Sequence, residues 1–491
     1  MTAPSPEGFA RLFEPAGVVV VGASSHPGKF GFVALHNILR NDYGGRVFAT
    51  NLEGGEILGV PVSRGLDEIP SGAADLAFVC TPAAANLEVL EGCAARGIGA
   101  AFVTSGGYAE AGAEGREAER VLVERATELG VTLAGPNGQG IVSTPASLCA
   151  QIVAPYPPRG GIAIASQSGN FVSSFQNYAL QTGVGVSRAV SAGNAAAVGV
   201  PDYLDAFADD DETRVGLAYL ESVADGRALF ERLRDVAARK PLVVLKGGVS
   251  AGGQRAAASH TGALASDDRV FAGACRQAGV TRATSVEEAF EAAATFATQP
   301  LPRGPDVVVL TTAGGWGVVT ADAVARTSLR LLPLPDDLRA TIDEKLPPRW
   351  SRNNPIDLAG AETRDTIPEV MELIAGHDEI DALVYLGMGI QSNQARLMRT
   401  GRFYPGHGLE RIVAYHERQD ERFARAAAEV SDATGKPILA ATELAIADPD
   451  NAGPRTVRET GRLCYPSSHR AVTALAHLWE HARHLQRRGR A

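Results

Sequence analysis

Short apolar runs that end in Gly, Pro or Asn alternate with Ala-, Leu-, Glu- and Arg-rich segments of helical period along the whole chain, and this alternation admits few folds. It is the pattern of α/β architecture, a mostly parallel sheet covered by helices. In the first part five such runs read as strands: residues 18–21, 46–49, 76–80, 101–103 and 131–134. Each leads into a loop of small or turn-forming residues, "GASSHPGKFG", "TNLEGG", "TPAAAN", "TSGGYAEAG" and "GPNGQG". Open parallel sheets bind ligands beyond the carboxyl ends of their strands, so five such loops on one edge are a binding-site layout. Gly and Pro also end strands for structural reasons alone; one loop says little, and five together favour a nucleotide-like ligand. The first loop is neither GxGxxG nor GxxxxGK[ST], so the usual NAD and ATP fingerprints are absent.

At about 150 residues per domain, a chain of 491 residues is expected to hold three. Two Pro-rich joins, "APYPPRGG" at 154–161 and "QPLPRGPD" at 299–306, divide it into 1–153, 154–300 and 301–491. The second part has strand-like runs near 162–165, 184–190, 215–220 and 242–245. The third begins with 307–310 and closes on "RLCYPSSHRAVTALAHLWEHARHL", a strand, a capping serine pair and an amphipathic helix. A net charge of -10 with no long basic run speaks against a nucleic-acid or anionic-membrane partner. Cys80, Cys93, Cys149, Cys275 and Cys464 are scattered without metal-ligand spacing, so neither a zinc site nor a disulfide framework is expected, and a reducing cytoplasm is the natural home. No basic leader precedes an apolar core, and no apolar run reaches the roughly 18 residues of a membrane span.

Two openings resemble each other: "GIAIASQSGN" and "DVVVLTTAGGWG" both read as strand, small-residue turn, helix. Such a turn aims free N–H groups and the positive end of a helix at one point, which suits a phosphate. The stretch "RAAASHTGALAS" then gains interest. A histidine beside alanine and glycine is ordinarily a surface or satisfied core residue, but next to a phosphate site a neutral imidazole is a nucleophile for phosphorus. His260 would need a carboxylate on its other ring nitrogen, and Glu221, at the end of the apolar run in "GLAYLESV", is the candidate; its bland alternative is a solvated strand-end carboxylate.

"SQSG", "YLES", "LKGG", "AAASHTGALA" and "TTAGGWGVVTAD", in this order after a "VVGAS…PGKFG" domain, resemble the NDP-forming acyl-CoA synthetases, the acetate–CoA ligase (ADP-forming) group, itself similar to succinyl-CoA synthetase. The resemblance runs from about residue 13 to about residue 482. It implies an N-terminal Rossmann-like CoA-binding domain followed by two flavodoxin-like ligase domains. It implies CoA loops at Gly22, Ala23, Ser24 and Lys29, at Thr81 and Pro82, at Ser105 and Gly106, and at Asn137. His260 would be the phosphorylated histidine and Glu221 its orienting carboxylate. Ser166, Ser168, Gly169 and Asn170 would hold phosphate from one side, and Gly314, Gly315 and Gly317 from the other. "NNPIDL" at 353–358 also matches, without an assigned role.

The family binds nucleotide in an ATP-grasp module, for which the three domains leave no residues. The resemblance therefore implies an α subunit that works with a separate ATP-grasp β chain, which would carry ADP or GDP with Mg, in a hetero-oligomer with paired α chains. The substrate class is a small carboxylic acid or its acyl-CoA. The alternative is a CoA-binding sensor or scaffold with reduced catalysis. "GPNGQG" in place of the more usual "GPNCLG" or "GPNTxG", Asn170 where a small residue often follows "SQSG" and Trp316 where Pro is common are departures, and they bear on the identity of the acid.

Overall fold

Every residue of the run Gly17–Val21 is buried, as a strand covered on both faces must be, and it forms β1 at the centre of a seven-stranded sheet. The computed structural model describes residues 5–153, 155–221, 223, 225–255, 267–358, 360 and 365–489. The other strands of this sheet are β2 (Arg46–Thr50), β3 (Gly55–Ile57), β4 (Val60–Ser63), β5 (Leu76–Val79), β6 (Ala100–Val103) and β7 (Thr132–Ala134), in the order β3-β4-β2-β1-β5-β6-β7. Only β3 runs antiparallel, in a hairpin with β4. The parallel strands thus follow the dinucleotide-fold order, which reverses between β1 and β5.

A second sheet holds β8 (Gly140–Ser143), β9 (Leu148–Gln151), β10 (Arg159–Ser166), β11 (Val186–Ser191), β12 (Val215–Leu220), β13 (Leu242–Lys246) and β14 (Thr281–Ala283), ordered β14-β13-β12-β10-β11-β8-β9. Its parallel part has flavodoxin-like order and reverses between β10 and β12. The β8–β9 hairpin lies ahead of the Pro-rich stretch in the chain, yet it pairs antiparallel with β11 and completes the second sheet. These two sheets belong to one compact unit, which runs to Phe290 apart from residues 182–184. Within it the helix Pro6–Phe13 sets Phe9 and Phe13 edge-on to Tyr203, with ring centroids 5.7 and 6.2 Å away. Arg188 of β11, buried, pairs with Glu14 just after that helix and with Asp210 at 3.2 Å.

From Glu291 a second unit forms around β15 (Asp306–Thr311), β16 (Arg330–Leu331), β17 (Ile356–Asp357), β18 (Ala382–Leu386), β19 (Ile438–Ala441) and β20 (Cys464–Tyr465). The order β16-β15-β18-β19-β20, all parallel, is again flavodoxin-like and reverses between β15 and β18. The chain is thus α/β throughout: a Rossmann-like domain followed by two flavodoxin-like domains. The serine pair expected near the end caps a helix: Ser467 accepts from the Arg470 N–H at the start of Ser468–Arg487, whose buried Val472, Leu475, Leu478 and Trp479 form one stripe. Among the described residues no helix is long and apolar enough to cross a membrane.

Candidate functional site

All the residues expected in the CoA loops lie at the carboxyl edge of the first sheet, around the reversal between β1 and β5. Gly22 leaves β1 in the left-handed region (φ 83°), and it and Ala23 both donate to the Thr50 carbonyl, at 3.0 and 2.9 Å. The helix Phe30–Arg40 enters directly against this turn; a Cβ on Gly31 would stand 2.0 Å from the Gly22 oxygen. Ser24 accepts the His26 N–H at 3.1 Å, and Lys29, exposed, precedes the first helical residue. The Asn137 N–H donates to the Ser105 carbonyl at 3.1 Å, and Asn137 itself has φ 61°.

Thr81 and Ser105 meet through a residue that sequence reasoning did not single out. Asn86, 1% exposed, opens the helix Asn86–Arg96. Its Oδ1 accepts from Thr81 Oγ1 at 2.9 Å, and its Nδ2 donates to Ser105 Oγ at 2.9 Å and to the Tyr108 hydroxyl at 2.7 Å. The only signal in the sequence was a polar residue closing "TPAAAN". Asn194, from the second sheet's β11 loop, was also missed; its amide donates to Glu110 and Glu119 at 2.6 and 2.7 Å while its Oδ1 accepts from Asn137 at 3.2 Å. Cys80, beside this cleft, is no thiolate: burial pushes its pKa up to about 12.

The expected phosphate loop of the second sheet sits at its own reversal point. Ser166, buried, donates to the Ser168 carbonyl at 2.6 Å and accepts the Ser168 N–H at 3.0 Å, a clamp that shapes the turn before the helix Gly169–Thr182. The Gln167 N–H reaches across to the Tyr219 carbonyl at 3.3 Å, and its Oε1 accepts the Glu221 N–H at 2.6 Å. The loop and Glu221 are therefore brought together. Tyr219 was missed: burial first, and then the Glu221 carboxylate to which it hydrogen-bonds, push its phenol up to about 12. Its ring stacks on Phe171, centroids 3.8 Å apart. Gln139 of "GPNGQG" lies over the first helical residue; a Cβ on Gly169 would fall 2.0 Å from Gln139 Cδ. Asn170 is exposed. His260 lies outside the described residues, which stop at Arg255 and resume at Asp267.

In the second unit Thr311 repeats the serine clamp. Its Oγ1 donates to the Ala313 carbonyl and accepts the Ala313 N–H, both at 3.0 Å, ahead of the helix Gly314–Val324. The likeness of the two sequence openings is thus a likeness of hydrogen bonding. "NNPIDL" has a structural place. Asn354 bonds Val309 N–H at 3.0 Å and donates to the Val307 and Leu332 carbonyls at 2.8 Å, and Pro355 packs on Gly317. Asp357 stands so close to Gly314 that a Cβ there would meet Oδ2 at 2.4 Å. The first glycine of one loop thus faces the Gln139 amide, and that of the other the Asp357 carboxylate. Trp316 lines a cavity of about 220 Å³ with Leu386, Thr442, Glu443, Ser467 and His469.

Comparison with known proteins agrees with this arrangement. Residues 17–144 match the CoA binding domain model, residues 159–296 the succinyl-CoA ligase like flavodoxin domain, and residues 307–390 the ligase-CoA domain. The α subunit of acetate–CoA ligase (ADP-forming) I from Pyrococcus furiosus is 36% identical over 379 residues, 76% of this chain and 82% of that one. Acetate–CoA ligase (ADP-forming) I from Archaeoglobus fulgidus is 38% identical over 376 residues, which make up 76% of this chain and 54% of that longer protein. Dinucleotide forming acetyl-coenzyme A synthetase 1 of Ca. Korarchaeum cryptofilum, solved in complex with phosphate and ADP, superimposes with a TM-score of 0.83 at 29% identity, covering 98% of this chain and 99% of that one. With three family domains in order on three sheets and this identity to an α subunit, the chain belongs to the ADP-forming acetate–CoA ligase family, the NDP-forming acyl-CoA synthetases.

Proposed function

We propose that the chain carries the CoA- and phosphate-handling half of the reversible reaction acyl-CoA + phosphate + NDP ⇌ carboxylic acid + CoA + NTP. The observation that supports this most is the joining of the Ser166–Gly169 loop to the end of β12 through Gln167, which brings the turn before the helix Gly169–Thr182 and residue Glu221 to one place. There a phosphate oxygen attacks the thioester carbonyl, the C–S bond breaks, and CoA leaves as the thiol after taking a proton. The acyl phosphate keeps its phosphoryl group against the Ser166, Ser168, Gly169 and Asn170 turn. His260 nitrogen then attacks phosphorus, the carboxylate departs, and Glu221 steadies the imidazole through its other nitrogen. Tyr219 holds Glu221 in turn, its proton committed at neutral pH.

CoA is assigned to the first-sheet loops at Gly22–Lys29, Thr81–Pro82, Ser105–Gly106 and Asn137, where exposed Lys29 suits its phosphates. Gly314, Gly315 and Gly317 form the proposed second phosphate clasp. The phosphoryl group is passed to ADP or GDP on a separate ATP-grasp β chain, which would hold the Mg; that one relative is an α subunit supports the division of labour. The acyl group is that of a small carboxylic acid, with acetate first to be tried.

The test uses labelled phosphate and a panel of acyl-CoAs on the full chain, with and without a β chain. Wild type should take up acid-labile, base-stable label. His260→Ala should take up none while its CoA affinity stays within about twofold, and Glu221→Gln should slow labelling about tenfold or more. Label retained in His260→Ala overturns the mechanism.

A further inference from the structure

Asn86 decides which way two hydroxyl protons point. Its side-chain amide has two hydrogens and an acceptor oxygen, and all are engaged: Thr81 donates to Oδ1 at 2.9 Å, while Nδ2 donates to Ser105 Oγ at 2.9 Å and to Tyr108 at 2.7 Å. Tyr108 passes its own proton to the Ala83 carbonyl at 3.4 Å. Asn86 is 1% and Tyr108 2% exposed, so water does not compete for these bonds. Thr81 and Ser105 are half-buried, each with one side toward the carboxyl edge of the sheet.

A hydroxyl owns one proton. Thr81 gives its proton inward and keeps only lone pairs for the cleft. Ser105 takes a hydrogen inward and so keeps its proton for the cleft. We infer that Asn86 is a positioning residue that makes Ser105 a hydrogen-bond donor to an acceptor oxygen of CoA and Thr81 an acceptor for an N–H or O–H of CoA. The inference rests on the reading of these loops as the CoA site. It assigns opposite roles to two hydroxyls that sequence alone treats as alike, and it gives Asn86 a function though it never touches the ligand.

Asn86→Asp tests it at constant shape. A carboxylate has acceptors only, so the Ser105 proton turns inward and is lost to CoA. CoA dissociation constants would be measured on the full chain by calorimetry for wild type, Asn86→Asp, Ser105→Ala and the double variant, in low and in high salt, beside thermal melts. Each single change should weaken CoA about tenfold, the worth of one hydrogen bond. The double variant should bind within about twofold of either single one, since both remove the same donor. The Asn86→Asp loss should persist in high salt, where repulsion between the new carboxylate and CoA phosphates is screened.

Ser105→Ala at wild-type affinity would overturn the CoA reading of this loop and the inference with it. Ser105→Ala weakened but Asn86→Asp unchanged would overturn the inference alone. Losses that multiply to about a hundredfold would also overturn it, because Asn86 would then act by another route. Should Asn86→Asp melt well below wild type, Thr81 decides: Thr81→Ser should keep affinity and Thr81→Val lose about tenfold, and a Thr81→Val chain that binds normally ends the acceptor role.

Discussion

Gly31 shows how one missing Cβ shapes the cleft. An alanine there would drive its methyl to 2.0 Å from the backbone oxygen of Gly22, which cannot swing aside as a side chain could. Gly31→Ala should therefore cost about 1–3 kcal/mol and weaken CoA by displacing the Gly22–Ala23 turn, read by melting and by CoA titration. Gly315 is the contrast: exposed, in the helix Gly314–Val324, with nothing within 4 Å of an added Cβ. Gly315→Ala should raise stability by roughly 0.5–1 kcal/mol, and a lowered melting temperature would contradict it. Both residues look alike in sequence. Asn86 was illegible for the same kind of reason, since its partners lie 5, 19 and 22 residues away and only the folded sheet edge brings them together.

At the scale of elements, the helix Ile390–Arg399 is capped from outside itself. Asp420, in the helix Leu409–Thr434 and 1% exposed, accepts the Gly389 N–H at 3.3 Å and the Ser392 N–H at 2.6 Å. Burial raises its pKa to about 6 against the opposing help of those N–H groups. A carboxyl raised in the folded state contributes stability that is full below its ordinary value near 4 and is lost as pH rises through 6. The stability of wild type relative to Asp420→Asn should thus fall by roughly 2 kcal/mol from pH 4 to pH 7; a flat difference would refute the raised value. Asp420→Ala should cost about 1–3 kcal/mol by stripping two helix N–H groups of their acceptor. Although β18 and β19 went unread, the apolar runs of β1, β5, β12, β13 and β15 were legible as strands because burial on both faces demands them. The two-residue strands β16 and β17 were not, because two residues carry no period.

Over the whole molecule, Arg188 ties the N-terminal helix to the second sheet: its guanidinium engages Glu14, Asp210 and Ser143 while its side chain is only 6% exposed. Arg188→Met should destabilise the first unit by about 3 kcal/mol, read by denaturant unfolding, because Asp210 at 18% exposure loses its guanidinium partner. An unchanged midpoint would show that the pair only offsets its own desolvation. The amino-acid order by itself determined the α/β class, the three-domain succession and the carboxyl-edge loops, since apolar period and turn chemistry act over a few residues. It also carried the family motifs from "SQSG" to "TTAGGWG". Only the tertiary structure decided that the β8–β9 hairpin completes the second sheet, that Gln139 covers Gly169, that Asp357 faces Gly314, and that Asn86 joins two loops at the edge of the first sheet. Those are contacts between residues far apart in the chain, set by strand order and sheet register, and no local pattern encodes them.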